Sequence, residues 1–600
     1  MAYYKNFKTV VYCVAPWAGR VTEAELKEEI EFFQRFVGVD KVYLETFRGE
    51  WVSQEQLDMC KRVFAGAGIE VSGGITTVTP NLNDDDQKRQ RLFNTFCYNN
   101  GPMRELLKQV AEFTARNFDE FIIDDFFFTQ CTCEDCLKDK AAFEKEHGKA
   151  AWEAYRLAKM KEVSENLVIK PAKAVNPKVK IIIKFPNWKE SYQETGYNPA
   201  EQKDMFDLIY TGTETRDTAL QDQHLPRYLS YSLVRYLENT APGRNGGAWF
   251  DPYQCYTYDT YLEQAYLSAF SKAGELMIFC WPSLYKNKFA TALGFRLQEI
   301  DACLGNLGKP VGLPLYLPHN AQGEDHLEDF LGMAGIPFEP TPEFPVYAEN
   351  EKSAGKSSVV IITAMALKDK NIIEKIKDFA ARGGKVICTS GFMIGALEGA
   401  GSERTGDAGD ISDMTGIRYR GRRFEADTFH VTWKGLHHPL YAESTRPISF
   451  PMLEHRNNAS WSLINAGRGD AHSSILLRDT YGKGELLILN VPDLYSQIKE
   501  LPREVLKRIR AELSCGDIYL DAKPGVSIFT YDNDTFAVYT YTASSGAAAF
   551  PDIAKVHIKG KKTALRNIAG AKKIKPLYQT DEESIFEIDI IPGEFEFYQY

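Results

Sequence analysis

Eight times between residues 9 and 281 the chain repeats one unit, a short β-branched or aromatic run followed by a helical stretch. The runs cover residues 9–17, 41–45, 69–77, 120–127, 179–188, 208–214, 247–253 and 275–281, with helical patterns such as EAELKEEIEFFQRFVG and MRELLKQVAEFTARN between them. Parallel strands covered by helices on both faces are buried throughout and read as continuous apolar runs, as FIID, VKIIIK and LMIFCW do. Eight regular βα units favour a closed (β/α)8 TIM barrel over an open doubly wound sheet. Residues 1–306 are the expected barrel domain.

A chain of 600 residues is too long for one hydrophobic core. From Gly308 strand and helix alternate again in KPVGLPLYLP, SSVVIITAMAL and NIIEKIKDFAARGGKVICTSG. This predicts a three-layer, Rossmann-like α/β domain over residues 307–500, with a looser segment at 399–413. After the helical LPREVLKRIRAEL, alternating runs such as VSIFTYD, TFAVYTYTAS and SIFEIDI predict a small β-sandwich within residues 501–600.

A formal charge of −11 argues against a nucleic-acid or anionic-membrane partner, whose phosphates would repel it. No apolar run reaches the roughly 18 residues of a membrane span. The opening MAYYKNFKTVVYCVAPW reads as a first strand rather than a cleavable leader. Cys13, Cys280 and Cys388 sit inside apolar runs, as free thiols do in a reducing compartment. The expectation is a cytoplasmic protein, with a trimmed leader left open.

In a barrel of this kind the chemistry lies at the C-terminal ends of the strands. There the chain carries Glu45 with Arg48 after it, Asp124 and Asp125 in FIIDDFFF, then Lys184, Asn187 and Trp188. Further on come Glu214 and Arg216 in TGTETRD, Trp249 and Asp251 in AWFDPY, and Trp281 and Tyr285 in FCWPSLY. Carboxylates beside aromatic rings suit a carbohydrate, whose C–H faces stack on rings while its hydroxyls bond to acids and amides. Plainer roles exist for each. Asp124 could cap a helix, Asp251 could hold the turn at Pro252, and Lys184 could form a structural ion pair with Asp124 or Asp125. Successive strand residues face opposite ways, so only one of the two aspartates should point straight into the mouth.

One cysteine cluster stands apart. Cys131, Cys133 and Cys136 form C-x-C-x-x-C after the fourth strand, and Cys97 precedes the third helix. Four thiolates can close a tetrahedral zinc site with no open position, which is the structural type. No organic cofactor is expected.

The Cys97 and C-x-C-x-x-C pattern, with the downstream CLKDKAAFEKEHG helix, resembles glycoside hydrolase family 42, the trimeric β-galactosidases. That resemblance implies a catalytic barrel, an amidotransferase-like trimerisation domain, a small β-domain and action on a terminal, galactoside-like sugar. It also implies a homo-oligomer, a trimer above other states. The sequence departs from the family at the catalytic positions. Strand four there ends in Asn-Glu, the Glu being acid/base, where this chain has Asp124-Asp125; strand seven supplies a Glu nucleophile, where this chain has Asp251. Independent chemistry in the α/β domain is not expected, because Val386 replaces the first Gly of the G-x-C-x-G elbow around Cys388.

Glycoside hydrolysis takes two carboxyl groups across the scissile bond, one protonated and one ionised. The pair expected here is Asp125 as nucleophile, kept ionised by Lys184, and Glu214 as acid/base. Asp124 would tune the site and Asp251 is the reserve acid. Glu45, Lys184, Asn187, Trp188, Arg216, Trp249, Trp281 and Tyr285 are the expected sugar contacts. The rival reading is a non-catalytic carbohydrate-binding barrel that has lost the family's catalytic pair.

Overall fold

The computed structural model describes residues 3–78, 92–220, 222–351, 353, 355–398, 411–514, 517–542 and 550–600. The chain divides into two compact units, Met1–His224 with Leu229–Gly305, and Leu225–Tyr228 with Asn306–Tyr600.

The first unit is the expected (β/α)8 barrel. Its strands are β1 (Lys8–Cys13), β2 (Lys41–Arg48), β3 (Glu70–Thr76), β4 (Glu120–Ile123), β5 (Lys180–Phe185), β6 (Leu208–Gly212), β7 (Asn245–Phe250) and β8 (Glu275–Phe279), closed in sequence order. All pairs are parallel, and β8 returns to β1 with Glu275 opposite Lys8. Helices start where side chains satisfy their first N–H groups. Before Glu23–Phe36, Thr22 accepts from the Glu25 amide while the Glu25 carboxylate accepts from the Thr22 amide.

Large rings fill the barrel interior, where Val10, Tyr12, Tyr43, Ile122, Ile182, Tyr210, Trp249 and Met277 form one buried cluster. Glycine makes room for them. A Cβ at Gly74 would lie 2.7 Å from the Tyr12 hydroxyl, and one at Gly247 2.5 Å from that of Tyr210.

The second unit holds a nine-stranded sheet whose first half is parallel and helix-covered, as expected. Its other half corrects the sequence reading. Strands Ile417–Val431, Leu440–His455, Trp461–Arg468 and Ala471–Tyr481 extend the sheet as antiparallel ribbons. Their apolar signal is broken because charged residues such as Arg418, Arg420 and Arg422 occupy exposed or half-exposed positions. Residues 399–410 of the expected looser segment lie outside the described residues. Two further sheets, of four and six strands, share the core that contains Leu520, Val556, Phe586, Ile528 and Tyr598. The helix Arg503–Leu513 ties these sheets to the nine-stranded one. Its buried Arg510 donates to the carbonyls of Ala334 at 2.6 Å and Ala522 at 2.7 Å. Among the described residues no helix is long and apolar enough to cross a membrane.

At one end of the barrel the strand N-termini carry a buried ion cluster. Lys41 Nζ lies 2.6 Å from Glu120 and 3.1 Å from Glu275. Replacing Lys41 by Met leaves two half-desolvated carboxylates facing each other. This should destabilise the unit by about 3 kcal/mol at neutral pH. Thermal melting checks it, and an unchanged midpoint contradicts it.

Candidate active site

The barrel strands end in a cavity of about 640 Å³. At its centre is Lys184, buried near the C-terminal end of β5. Its Nζ donates to Asp125 Oδ2 at 2.7 Å and to Glu214 Oε1 at 2.5 Å, with Asp124 Oδ1 at 3.9 Å. The ammonium also sits 4.1 Å over the Trp249 ring. The Lys184 side chain is 2% exposed, so these groups rather than water neutralise it. Legs of 2.7 and 2.5 Å cap the separation of the two carboxylate oxygens at 5.2 Å.

Both aspartates reach the cavity, contrary to the strict alternation expected of a strand. The reason is that β4 ends at Ile123 and residues 124–126 form a turn. Asp124 is clamped, accepting from the Asp125 amide at 2.8 Å, Arg48 Nη2 at 2.6 Å and Thr76 Oγ1 at 3.2 Å. Burial pushes its pKa up, but Arg48 and Lys184 outweigh burial and hold it below the usual aspartate range. Asp125 goes the other way. Its pKa is raised to about 8, chiefly by burial, with Lys184 opposing the rise and the charges of Asp124 and Glu214 adding to it. The expectation that Lys184 keeps Asp125 ionised is therefore corrected: one ammonium shared among three carboxylates does not offset the desolvation.

Glu214 follows β6 and is buried, with Lys184 on Oε1 and no partner for Oε2 among the described residues. Gly212 permits this pose, since a Cβ there would lie 2.7 Å from Glu214 Oε2. Asn187 braces the loop by donating to the Glu214 carbonyl at 2.8 Å. Asp251, after β7, is engaged on both oxygens by Arg216, at 3.0 and 2.7 Å. Burial raises its pKa more than Arg216 lowers it. Arg216 thereby stands fixed at the cavity wall.

Trp188 and Trp249 line the cavity with Phe126, Tyr253 and Phe279. Three expected contacts lie elsewhere. Trp281 opens a short helix and turns outward, packing on Phe33 and donating to Glu29 at 2.7 Å. Tyr285 lies on the same outer side, donating to Glu28 at 2.8 Å. Glu45 is fully buried behind the wall, holding Tyr12, the Ala15 amide and Arg48. Arg48, by contrast, does line the cavity and is the residue that sequence reasoning undervalued. Glu45 and Arg48, three apart, should face opposite ways. A register shift between Glu45 and Phe47 lets them meet.

The four cysteines do converge. Their sulfurs lie within 4.8 Å of one another, and Cys97, Cys133 and Cys136 are mutually 3.7 Å apart. A tetrahedral ion with metal–sulfur bonds near 2.3 Å would set sulfurs about 3.8 Å apart, so the group can hold a metal ion. None of the four lines the cavity. They join the loop after β4 to the start of helix Gly101–Asn117.

The family described as "Probable glycosyl hydrolase, catalytic domain" matches residues 1–300. The second domain of uncharacterized protein SSO3021 matches 308–494, and "Probable glycosyl hydrolase, C-terminal domain" matches 517–600. Uncharacterized protein SSO3021 of Saccharolobus solfataricus is 30% identical over 371 residues, 56% of this chain and 60% of its own length. The match thus spans less than two thirds of that relative. α-L-Fucosidase isoenzyme 2 from Paenibacillus thiaminolyticus superposes with a TM-score of 0.65 at 12% identity, covering 100% of both chains. Gan42B, a GH42 β-galactosidase from G. stearothermophilus, superposes with a TM-score of 0.59 at 12% identity, covering 98% of this chain and 99% of its own. At these identities the likeness is one of fold.

The raised pKa of Asp125 has a thermodynamic consequence. A carboxyl that is protonated in the fold contributes stability that is present below its unfolded value near 3.8 and lost as pH rises to about 8. Asp125→Asn, which cannot ionise, should therefore gain in melting temperature relative to the parent as pH is raised from 5 to 8. A difference between the two that is independent of pH contradicts this protonation state.

Proposed function

Because the chain belongs to the probable glycosyl hydrolase family whose catalytic domain matches residues 1–300, we propose that it is a retaining exo-glycosidase acting through Asp125 and Glu214. The observation that carries this reading is the Lys184 bridge, which brings one oxygen of each acid, Asp125 Oδ2 and Glu214 Oε1, within 5.2 Å of the other by legs of 2.7 and 2.5 Å. Retaining enzymes keep their pair at about 5–5.5 Å, whereas inverting enzymes leave room for a water between them.

The roles follow from the protons, and they reverse those expected from sequence. Asp125, with its pKa raised to about 8, is the acid that protonates the departing glycosidic oxygen. Glu214 is the nucleophile that attacks the anomeric carbon and forms a glycosyl ester. Asp125, now ionised, takes a proton from water, whose oxygen attacks the same carbon and frees Glu214. Asp124, held ionised by Arg48, keeps the proton on Asp125 by repulsion. Trp188, at the cavity wall, offers a ring face to the sugar. The structural neighbours, a β-galactosidase and an α-L-fucosidase, suggest the candidate substrates, a terminal β-galactoside or α-L-fucoside.

Nitrophenyl β-D-galactoside and α-L-fucoside test this reading, with the first-formed anomer followed by NMR. Turnover of one of them with retention supports it, and kcat/KM should fall as pH rises through about 8. Glu214→Gln should abolish turnover. Asp125→Asn should lose about 10²–10⁴-fold on poor leaving groups, much less on nitrophenolate, and recover with azide to give a glycosyl azide of retained configuration. No hydrolysis of either glycoside, or an inverted first product, overturns the proposal.

We also propose zinc as the ion of the cysteine site, because four thiolates at tetrahedral spacing suit it and leave no position for water. The ion's work would be to fasten the loop that carries Asp124 and Asp125. Metal analysis should find about one zinc per chain, lost together with thermal stability in Cys136→Ser. A chain that binds no zinc contradicts this.

A further inference from the structure

Two phenylalanines stand at the part of the cavity mouth that follows β3 and β4. Phe93 and Phe126 both line the cavity, their ring centres 5.2 Å apart and their planes tilted by 59°. Phe93 is 58% exposed. Its backbone lies in the left-handed region at φ 53° and ψ 20°, which a bulky side chain seldom adopts. Backbone of this kind persists only where its surroundings fix it, and it gathers at ligand-binding sites.

The surroundings do fix it. Just beyond Phe93, the Phe96 amide donates to the Thr77 carbonyl at 2.9 Å, and Thr95 pairs with Val78 in an antiparallel bridge. The Thr77 hydroxyl in turn donates to the Phe126 carbonyl at 2.6 Å. One residue at the exit of β3 thus ties down the backbone at both rings. The Arg48 guanidinium backs the Phe126 ring, 5.8 Å from its centre.

The chemistry of the cavity is divided. After β5, β6 and β7 it is lined by Asn187, Arg216, Gln223 and Gln254, whose amide and guanidinium groups suit sugar hydroxyls. Around the two phenylalanines the polar groups are already engaged. Asp124 accepts from the Asp125 amide, Arg48 and Thr76, and Arg48 also donates to Glu45. The Thr77 hydroxyl, besides its bond to Phe126, accepts from Tyr98 at 3.2 Å. A group seated here meets ring faces and few partners for hydroxyls. Asp125, which directly precedes Phe126, is the acid in the reading above, and an acid that protonates the glycosidic oxygen has the departing group on its own side. On that reading, we infer that Phe93 and Phe126 form the leaving-group subsite, and that it takes a flat apolar aglycone, an aryl group, in preference to a second sugar.

Isothermal titration calorimetry of the full chain with sulfur-linked glycosides, which resist hydrolysis, tests the inference. The probes are the phenyl and methyl 1-thio-β-D-galactosides and 1-thio-α-L-fucosides. For at least one sugar the phenyl compound should bind about tenfold more tightly than the methyl one. That ratio should fall to about twofold in Phe93→Ala and persist in Phe93→Tyr, with both variants melting like the parent. Nothing is turned over, so the two readings fail separately. An inverted product or no hydrolysis removes the retaining mechanism and leaves the phenyl preference in place, whereas equal affinities for phenyl and methyl compounds remove the subsite and leave the mechanism. No binding of either phenyl compound, or a ratio that Phe93→Ala leaves unchanged, overturns the inference. So does tighter binding of a sulfur-linked disaccharide of the same terminal sugar, which would make the seat one for a saccharide.

Discussion

A lysine ammonium buried among three carboxylates is the interaction around which the barrel cavity is built. Lys184 cannot reach water, and each acid near it is itself desolvated. An isolated charge in such a place would be prohibitive, and a bare pair would barely break even. The cluster is viable because it is over-connected. Arg48 adds a second positive charge from β2, Glu45 orients Arg48 from behind, and the Asp125 amide donates to Asp124. Burial nevertheless raises the Asp125 pKa to about 8, against the pull of Lys184.

The barrel supplies the rigidity this needs. Residues from β2, β4, β5, β6 and β7 meet at one rim because parallel strands present their C-terminal ends together. The loop that follows Asp125 would be the weak point of such a site, since it leaves the sheet at once. Cys131, Cys133 and Cys136, whose sulfurs converge with that of Cys97, follow six to eleven residues later at the start of helix Glu134–His147. Asp251 and Arg216 do for the opposite wall what Glu45 and Arg48 do for the first, each acid spending both oxygens on fixing an arginine.

What was legible in the sequence follows from periodicity. Strands such as KIIIKF and ELMIF are buried on both sides, so their apolar runs announce a parallel barrel, and residues directly after them mark its rim. The signal fails wherever the backbone leaves the regular pattern. Trp281 looks like a rim residue by position but begins a helix, which swings it to the outside. Arg48 is brought inward by a bulge that no residue in KVYLETFR proclaims. The ribbon strands beyond Ile417 present arginines to solvent and so lose the alternation that would identify them. The proposed reversal of roles between Asp125 and Glu214 has a different origin. Sequence shows that Lys184 stands near the aspartates, but the sign of a pKa shift depends on how deeply each group is buried, which only three dimensions reveal.

The covalent intermediate is the most direct witness to the account. Treating the protein with the 2-deoxy-2-fluoro glycosyl fluoride of whichever sugar it hydrolyses slows breakdown of the glycosyl ester, and peptide mass mapping then locates it. The account predicts one label per chain, on Glu214, absent from Glu214→Gln. A label on Asp125 or Asp251, or full turnover with no label at all, would contradict it.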